Sequence, residues 1–384
     1  MSLPKTSDIV IIGGGIIGTS AAYHLARKGA DVIVLERNRF FGEESTAKAA
    51  GGVRAHFGTE INVRLSQASI SEFEKFEAET GYPSSFVRTG YLFVLTRERD
   101  VRAFQAKLPM WERLGVRTEW WSADDVRKRL PMMRWDDALA GVWGPDDGLA
   151  DPGSVVQGYV SAGSRAGARF FGSAEVSDIR TAGGRIASVL TSAGEAATRR
   201  IVIAAGAWSG QVGRLAGADI PIVPVRRQIV VTAATPEIPA DFPFVTEFAK
   251  SLYFHREGPG LLIGMSNPGQ APGFDQTVDE DWELTILESA ARRMPGLEQT
   301  GIAKRWAGLY EMTPDHHPLL GPVGVVDGLY IIAGFSGHGF MHGPAAGLIA
   351  AEEIVDGKAA SLDPTPLRPE RFARGAAIHE DLVI

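Results

Sequence analysis

The apolar positions of the chain change period repeatedly, and each change marks an element. Asp8-Ile9-Val10-Ile11-Ile12 is a short unbroken run of β-branched residues, the pattern of a strand buried on both faces of a parallel sheet. Gly13-Gly14-Gly15-Ile16-Ile17-Gly18 follows, and over 19–28 Ala21, Ala22, Leu25 and Ala26 recur at helical spacing before Gly29 caps the end. Asp31 to Leu35 reads as a second strand with Glu36 at its end, so the opening unit is β-α-β. Further on, Glu60–Thr80 has the period of an amphipathic helix, 90–95 of a strand, and 98–114 and 122–130 of helices, the latter capped by Ser122. Asp151-Pro152 opens a helix to about 166. Strands are predicted at 168–171, 175–179, 185–190, 201–204, Val223–Thr232, Gly260–Met265 and 328–333, with helices at 282–293 and 344–354.

The first glycine turn carries chemistry. In a G-x-G-x-x-G turn the first glycine, Gly13, permits the tight bend, Gly15 lets the backbone approach a pyrophosphate on the helix N-terminus, and Gly18 lets helix and strand pack closely. Alone the pattern is weak, but here a strand precedes it, a helix follows, and Glu36 stands near the expected spacing of ~20 residues to accept from a ribose. Two later stretches repeat the geometry: Ala204-Ala205-Gly206-Ala207-Trp208-Ser209, and Gly334-Phe335-Ser336-Gly337-His338-Gly339-Phe340-Met341-His342-Gly343 ahead of the last helix. That third turn offers backbone N–H groups and positive dipole potential, which suits the negative charge of a reduced flavin; NAD would need no such third site.

Composition narrows the class. The chain has 384 residues, 45% hydrophobic and 22% charged, enough for two domains sharing an interface. A net charge of -7 argues against nucleic acid as a partner. The absence of cysteine excludes disulfides, thiolate metal sites and cofactor attachment through sulfur. Glycines, His24, Arg27 and Lys28 interrupt the first apolar run before it could span a membrane, and no basic region precedes the strand, so neither a transmembrane segment nor a signal peptide is expected and cytoplasmic location is the default. Adjacent His316 and His317 cannot converge on one ion, and no metal site is predicted. Trp111, Trp120, Trp121, Trp135 and Trp143 are read as core.

Between Ser45 and Gly58 the chain is rich in small residues, and Arg54 beside Gly51-Gly52 and Phe57 can present a planar fork to a carboxylate. His338 and His56 are candidates to tune the protonation of an amine or the charge of a flavin. Tyr253, Phe254, His255 and Arg256 form an aromatic cluster at a strand end.

Taken in order, the N-terminal fingerprint, Ala204 to Trp208, Trp306 to Asp315 and Gly334 to Phe340 resemble the D-amino-acid oxidase superfamily of FAD flavoenzymes, on the branch of sarcosine oxidase, glycine oxidase and the sarcosine oxidase beta-subunit-like dehydrogenases. The resemblance implies an α/β fold: a Rossmann-like FAD-binding domain of the glutathione-reductase type with an inserted α+β substrate domain of mixed β-sheet. It divides the chain into a discontinuous FAD-binding domain at 1–85, 146–220 and 305–384 and a substrate domain at 86–145 and 221–304. Non-covalent FAD would be lined by Gly13, Gly15, Ile16, Ile17, Gly18, Glu36, Arg37, Ser45, Thr46, Ala50, Gly51, Gly52, Val176, Ala205, Gly206, Trp208, Gly308, Gly334, Gly337, His338, Gly339, Phe340 and Met341.

The same resemblance places the substrate carboxylate on Arg54. The family's second cation falls on Met341, leaving Arg227, Arg226 or Tyr310 as candidates, with Tyr253 also on the substrate side. Its cysteine attachment point falls near Gly308, and its oxygen-assisting lysine falls on Leu262, which tilts the acceptor away from oxygen. The implied reaction moves a hydride from the carbon beside an amine nitrogen of a small amino acid or N-alkyl amino acid, of the sarcosine, glycine, proline or D-amino-acid type, to flavin N5, giving an imine that water hydrolyses. Electrons then pass to oxygen or another acceptor. The alternatives are a flavin subunit of a heteromeric amine or proline dehydrogenase complex, and a non-catalytic FAD-stabilised assembly factor; an oligomer or partner subunit stays open.

Overall fold

In the computed structural model, which describes residues 3–235 and 238–383, Ile9–Ile12 lies inside a six-stranded sheet. The strand order is Leu319–Pro322, Leu329–Ala333, Arg200–Ile203, Ile9–Ile12, Val32–Leu35 and Arg169–Phe171, all parallel except the antiparallel first pair. The unbroken apolar run is explained by two covered faces. Ile9, Ile11, Val32 and Val34 pack toward a helical layer, while Val10, Ile12, Ile33 and Leu35 pack toward an antiparallel meander of Val176–Ala182, Arg185–Thr191 and Gly194–Ala197.

A second, eight-stranded mixed sheet runs Ile302–Met312, Val223–Thr232, Gly260–Met265, Leu252–Glu257, Phe244–Glu247, Tyr91–Leu95, Ala140–Gly144, Glu119–Ser122. The pair Phe244–Glu247 and Tyr91–Leu95 is parallel and the others are antiparallel. Strand Ile302–Met312 belongs to this sheet through Val223–Thr232, yet Ser45 Oγ donates to its Leu309 carbonyl at 2.8 Å and Trp306 Nε1 donates to the Lys48 carbonyl at 3.1 Å. These bonds tie it to the segment that follows the first β-α-β unit.

Three helix boundaries differ from the periodicity for reasons of packing or backbone chemistry. The 98–114 helix is two, Glu98–Gln105 and Leu108–Arg113, because Pro109 cannot donate a backbone bond and is tolerated only in the first turn of a new helix. The first helix begins at Ile16, directly on the glycine turn. The last helix is Gly339–Asp356, five residues earlier than the predicted start, with Pro344 inside it. Close packing holds that helix in spite of the proline: a Cβ on Gly343 would sit 2.7 Å from Ile16 Cγ1, one on Gly347 would sit 2.3 Å from Ser20 Oγ, and Ser20 Oγ donates to the Pro344 carbonyl at 3.2 Å. Among the described residues no helix is long and apolar enough to cross a membrane.

The chain's last described stretch is anchored by a buried ion pair. Arg371 Nε and Nη2 donate to Asp315 Oδ2 and Oδ1, both at 2.8 Å, with side chains 3% and 1% exposed, and Asp315 Oδ2 also accepts from Ile378 N. Burial pushes the Asp315 carboxyl up, but the Arg371 hydrogen bonds and charge hold it below its ordinary value. Removing one partner of such a pair leaves the other charge buried and uncompensated. Arg371→Ala should therefore lower the unfolding free energy by about 3–5 kcal/mol in a denaturant titration, and a change below about 1 kcal/mol would show that the pair carries no such weight.

Candidate active site

The two sheets meet around one cavity of about 430 Å³. At one end lies the turn 12–17, at the other Arg54, Tyr91, Arg227, Phe244 and Tyr253, with Gly337–Met341 closing the far wall. All the residues expected to line a cofactor border this cavity except Gly18 and Gly334, and all the expected substrate-side residues do except His56 and Arg226.

The exceptions have physical reasons. A Cβ on Gly18 would lie 1.9 Å from the Gly13 carbonyl oxygen, so Gly18 serves the contact of helix and turn behind the cavity. Gly334 has φ +81°, and its Cβ would press on Thr313 at 2.5 Å, so it serves a bend. His56 lies behind the wall: its Nδ1 is 2.6 Å from Asp147 Oδ2, its Nε2 2.8 Å from Thr118 Oγ1, and its ring meets Trp111 edge-on. Asp147 Oδ1 also accepts from Ala55 N at 2.8 Å, so the His56–Asp147 pair braces the backbone that carries Arg54.

The cofactor end fits an extended dinucleotide. A Cβ on Gly15 would press on Thr46 Oγ1 at 3.1 Å and one on Gly206 would only touch Glu311 Oε2 at 3.8 Å; both glycines border the cavity and leave that space to it. Glu36 Oε2 accepts from Gly14 N at 2.7 Å and Oε1 accepts from Asn38 N at 2.8 Å, which fixes the acid across the mouth of the glycine turn. Burial raises its pKa, against the pull of those two N–H groups. The N-termini of Ile16–Arg27 and Gly339–Asp356 both reach the cavity, offering donors and dipole at two points along it. Arg37 lies over the Trp208 ring at 3.7 Å on the rim, and Gly308 presents no side-chain atom to bond a cofactor.

At the other end two arginines stand without a carboxylate partner among the described residues. Arg54 is 1% exposed; Nη1 donates to the His56 carbonyl, Nη2 donates to the Leu382 carbonyl at 2.9 Å and lies 3.4 Å from His338 Nε2, and the guanidinium sits 3.9 Å over the Phe57 ring. Arg227 donates from Nη1 to the Arg226 carbonyl, lies 5.1 Å over Tyr310, and has a buried Nε with no partner. Burial pulls both guanidinium pKa values down. Arg226 points to the opposite face of the strand, onto Asp275 and Asp279 at 2.9 and 3.0 Å, and so is not a second carboxylate ligand. Tyr91, Phe244 and Tyr253 form a stacked wall, with centroids 4.1 and 5.5 Å apart. Burial, with Arg54 beside it, holds His338 neutral, its pKa well below the usual imidazole value.

Sequence reasoning missed Glu311. Its Oε1 accepts from Phe335 N at 3.3 Å, its Oε2 is buried without a partner, and both oxygens lie near the second and third glycine turns. The only sign was an acid inside the otherwise apolar stretch Leu309-Tyr310-Glu311-Met312. Burial pushes its carboxyl up to about 7. Between about 4.5 and about 7 the folded chain therefore holds a proton that the unfolded chain has released, and this group lowers stability as pH rises through that window. In denaturant titrations of the apoprotein from pH 5 to 8, the stability of Glu311→Gln relative to wild type should rise with pH and level off above about 7. Parallel profiles would refute the raised pKa.

The profile of the FAD dependent oxidoreductase (DAO) family matches residues 8–353. The chain is 30% identical over 376 residues to mitochondrial sarcosine dehydrogenase of Homo sapiens, covering 93% of this chain and 40% of that protein. It is 27% identical to glycine oxidase of Geobacillus kaustophilus, covering 94% of this chain and 95% of that protein. Among solved structures, L-proline dehydrogenase from P. horikoshii superposes with a TM-score of 0.90 at 32% identity, over 97% of this chain and 99% of that one. The chain thus spans about 40% of the length of the mitochondrial dehydrogenase it matches and nearly all of the glycine oxidase. With the profile matched from residue 8 to residue 353 and the fold shared with L-proline dehydrogenase, the chain belongs to the DAO family of FAD dependent oxidoreductases.

Proposed function

We propose that this chain oxidises the C–N bond of a small amino acid or N-alkyl amino acid whose carboxylate is held by Arg54. The observation that carries the reading is the Arg54 guanidinium, 1% exposed, bordering the cavity and bonded only to neutral partners. A buried cation without an anion is unfavourable, and a ligand carboxylate supplies the missing charge through a planar pair of hydrogen bonds. FAD, when bound, supplies the two-electron acceptor. Arg227 is the second cation in place of the position occupied by Met341, reached from the opposite sheet, and Tyr310 beneath it fixes its height. Tyr91, Phe244 and Tyr253 wall the reacting carbon from water. Burial raises the pKa of both tyrosines, so they remain uncharged donors. In this reading 1–85, 146–220 and 305–384 hold the cofactor and 86–145 and 221–304 cover the substrate, strand Ile302–Met312 serving both.

The names of two relatives, sarcosine dehydrogenase and dimethylglycine dehydrogenase, favour a second reading, a flavin-bearing unit that passes electrons to a partner rather than to oxygen. Rapid reoxidation of the reduced protein by air would refute it.

The test is the visible spectrum of the anaerobic holoprotein during titration with sarcosine, glycine, proline and a panel of D- and L-amino acids. One of these should bleach the flavin band near ~450 nm, and Arg54→Ala should raise the half-saturating concentration about tenfold or more. A yellow protein that none of these amines bleaches would overturn the amino-acid reading.

A further inference from the structure

We infer that the segment 378–383 is a positioning strap for the substrate-binding arginine, with Glu380 as its anchor and the Leu382 carbonyl as the atom that aims the guanidinium; the inference rests on the amine-oxidising reading above. Arg54 and Leu382 are 328 positions apart, and the bond between them is buried. Glu380, 2% exposed, is responsible for bringing them together. Its Oε1 accepts from Gly58 N at 2.6 Å and from Leu382 N at 3.0 Å; its Oε2 accepts from Thr59 N at 3.2 Å, Thr59 Oγ1 at 3.0 Å and Asn62 Nδ2 at 2.9 Å. Apart from Leu382 N, these donors cluster at the start of the helix Glu60–Thr80, Gly58 and the N-cap Thr59 just ahead of it and Asn62 in its first turn, where the helix dipole favours a carboxylate.

The arrangement separates charge from orientation. The strap carries two acids, Glu380 and Asp381, yet neither pairs with Arg54: Glu380 is bound to the helix and Asp381 lies 3.3 Å from Lys107 Nζ. What reaches Arg54 is a neutral carbonyl, which fixes the planar fork and leaves its charge for a ligand. A carboxylate in that place would occupy the fork and compete with the substrate. Gly58 makes the approach possible, since a Cβ there would sit 2.1 Å from Asp381 Oδ1 and 2.5 Å from Glu380 Oε1. On its other side the strap is held by Ile378 N and Glu380 N, which donate to Asp315 Oδ2 and to the Asp315 carbonyl, both at 3.2 Å.

Because the strap acts through Arg54, its loss should be felt only by ligands with a carboxylate. The probes are methoxyacetate, a non-oxidisable isostere of sarcosine, and methoxyacetamide, titrated into the FAD-loaded protein with the flavin spectrum as readout. In Glu380→Ala, and in Gly58→Ala, which displaces the strap with its carboxylate intact, the Kd of the acid should rise about tenfold, as for a lost hydrogen bond to a charged group, while that of the amide and the FAD content stay unchanged. Asn62→Ala, which removes one of the bonds to Glu380, should give a smaller shift in the same direction and serves where the other variants do not fold. A readout independent of ligand is the rate at which phenylglyoxal modifies Arg54, followed by peptide mass, which should rise in the same variants. Equal losses for acid and amide, or an unchanged Kd and an unchanged modification rate, overturn the strap. If Arg54→Ala itself leaves acid binding unaltered, the carboxylate assignment fails; if Arg54→Ala weakens it and the Glu380 and Gly58 variants do not, the strap alone fails.

Discussion

A guanidinium taken out of water and left without a counter-charge is the constraint around which the substrate end of this protein is built. Arg54 is satisfied by two backbone carbonyls, a ring face and a neutral imidazole, none of which cancels its charge. Burial pulls its pKa down, while Tyr91, Glu380 and Asp147 work in the other direction from nearby. Both of those acids have their oxygens engaged elsewhere, Asp147 with His56 and Ala55 N, Glu380 with the start of a helix. They temper the cost of burying the cation without occupying it. An arginine stays protonated under these conditions, so the adjustment falls on the neighbours and His338 is held neutral instead.

The two sheets divide the work. The six-stranded sheet delivers three strand-to-helix turns to one side of the cavity, and the eight-stranded sheet supplies the opposite wall. Alternation along Val223–Thr232 decides which arginine is available: Arg227 faces the cavity, and Arg226, one residue away, is spent on Asp275 and Asp279. A single-residue slip of that strand would exchange them, and its ten paired positions with Ile302–Met312 guard against this.

What could be read from the sequence was what depends on neighbours in the chain. The β-α-β unit, its glycines and Glu36 lie within a few dozen residues, and the turns at Ala205-Gly206 and Gly337-Gly339 carry their own punctuation. The helix Glu60–Thr80 has the bounds its periodicity predicts. Misreadings arose where distant packing overrides a local rule. Pro344 is a fair helix start by propensity, but contacts of Gly343 and Gly347 with the first helix extend the element past it. His56, a candidate to tune an amine or a flavin, turns its ring toward Asp147, 91 positions away, a contact no local pattern announces. Glu311 and the strap were invisible for the same reason, since a lone acid in a strand and a polar tail acquire meaning only from what folds against them.

The distribution of charge along the cavity gives these features a common chemical sense. Acids border the cavity at Glu36, Glu43, Glu44, Glu175 and Glu311, with Arg37 and Lys48 among them, whereas at the substrate end buried Arg54 and half-buried Arg227 have no carboxylate partner among the described residues. A carboxylate is drawn to that end, and an amine brought in with it enters a field that disfavours its protonated form. The neutral amine has the free electron pair that drives loss of electrons from the neighbouring carbon. In the proposed reading the two unpaired arginines would act twice, by anchoring the acid group and by lowering the proton affinity of the nitrogen beside it. That reading requires no general base, in keeping with the neutral His338 and with the placement of His56 outside the cavity.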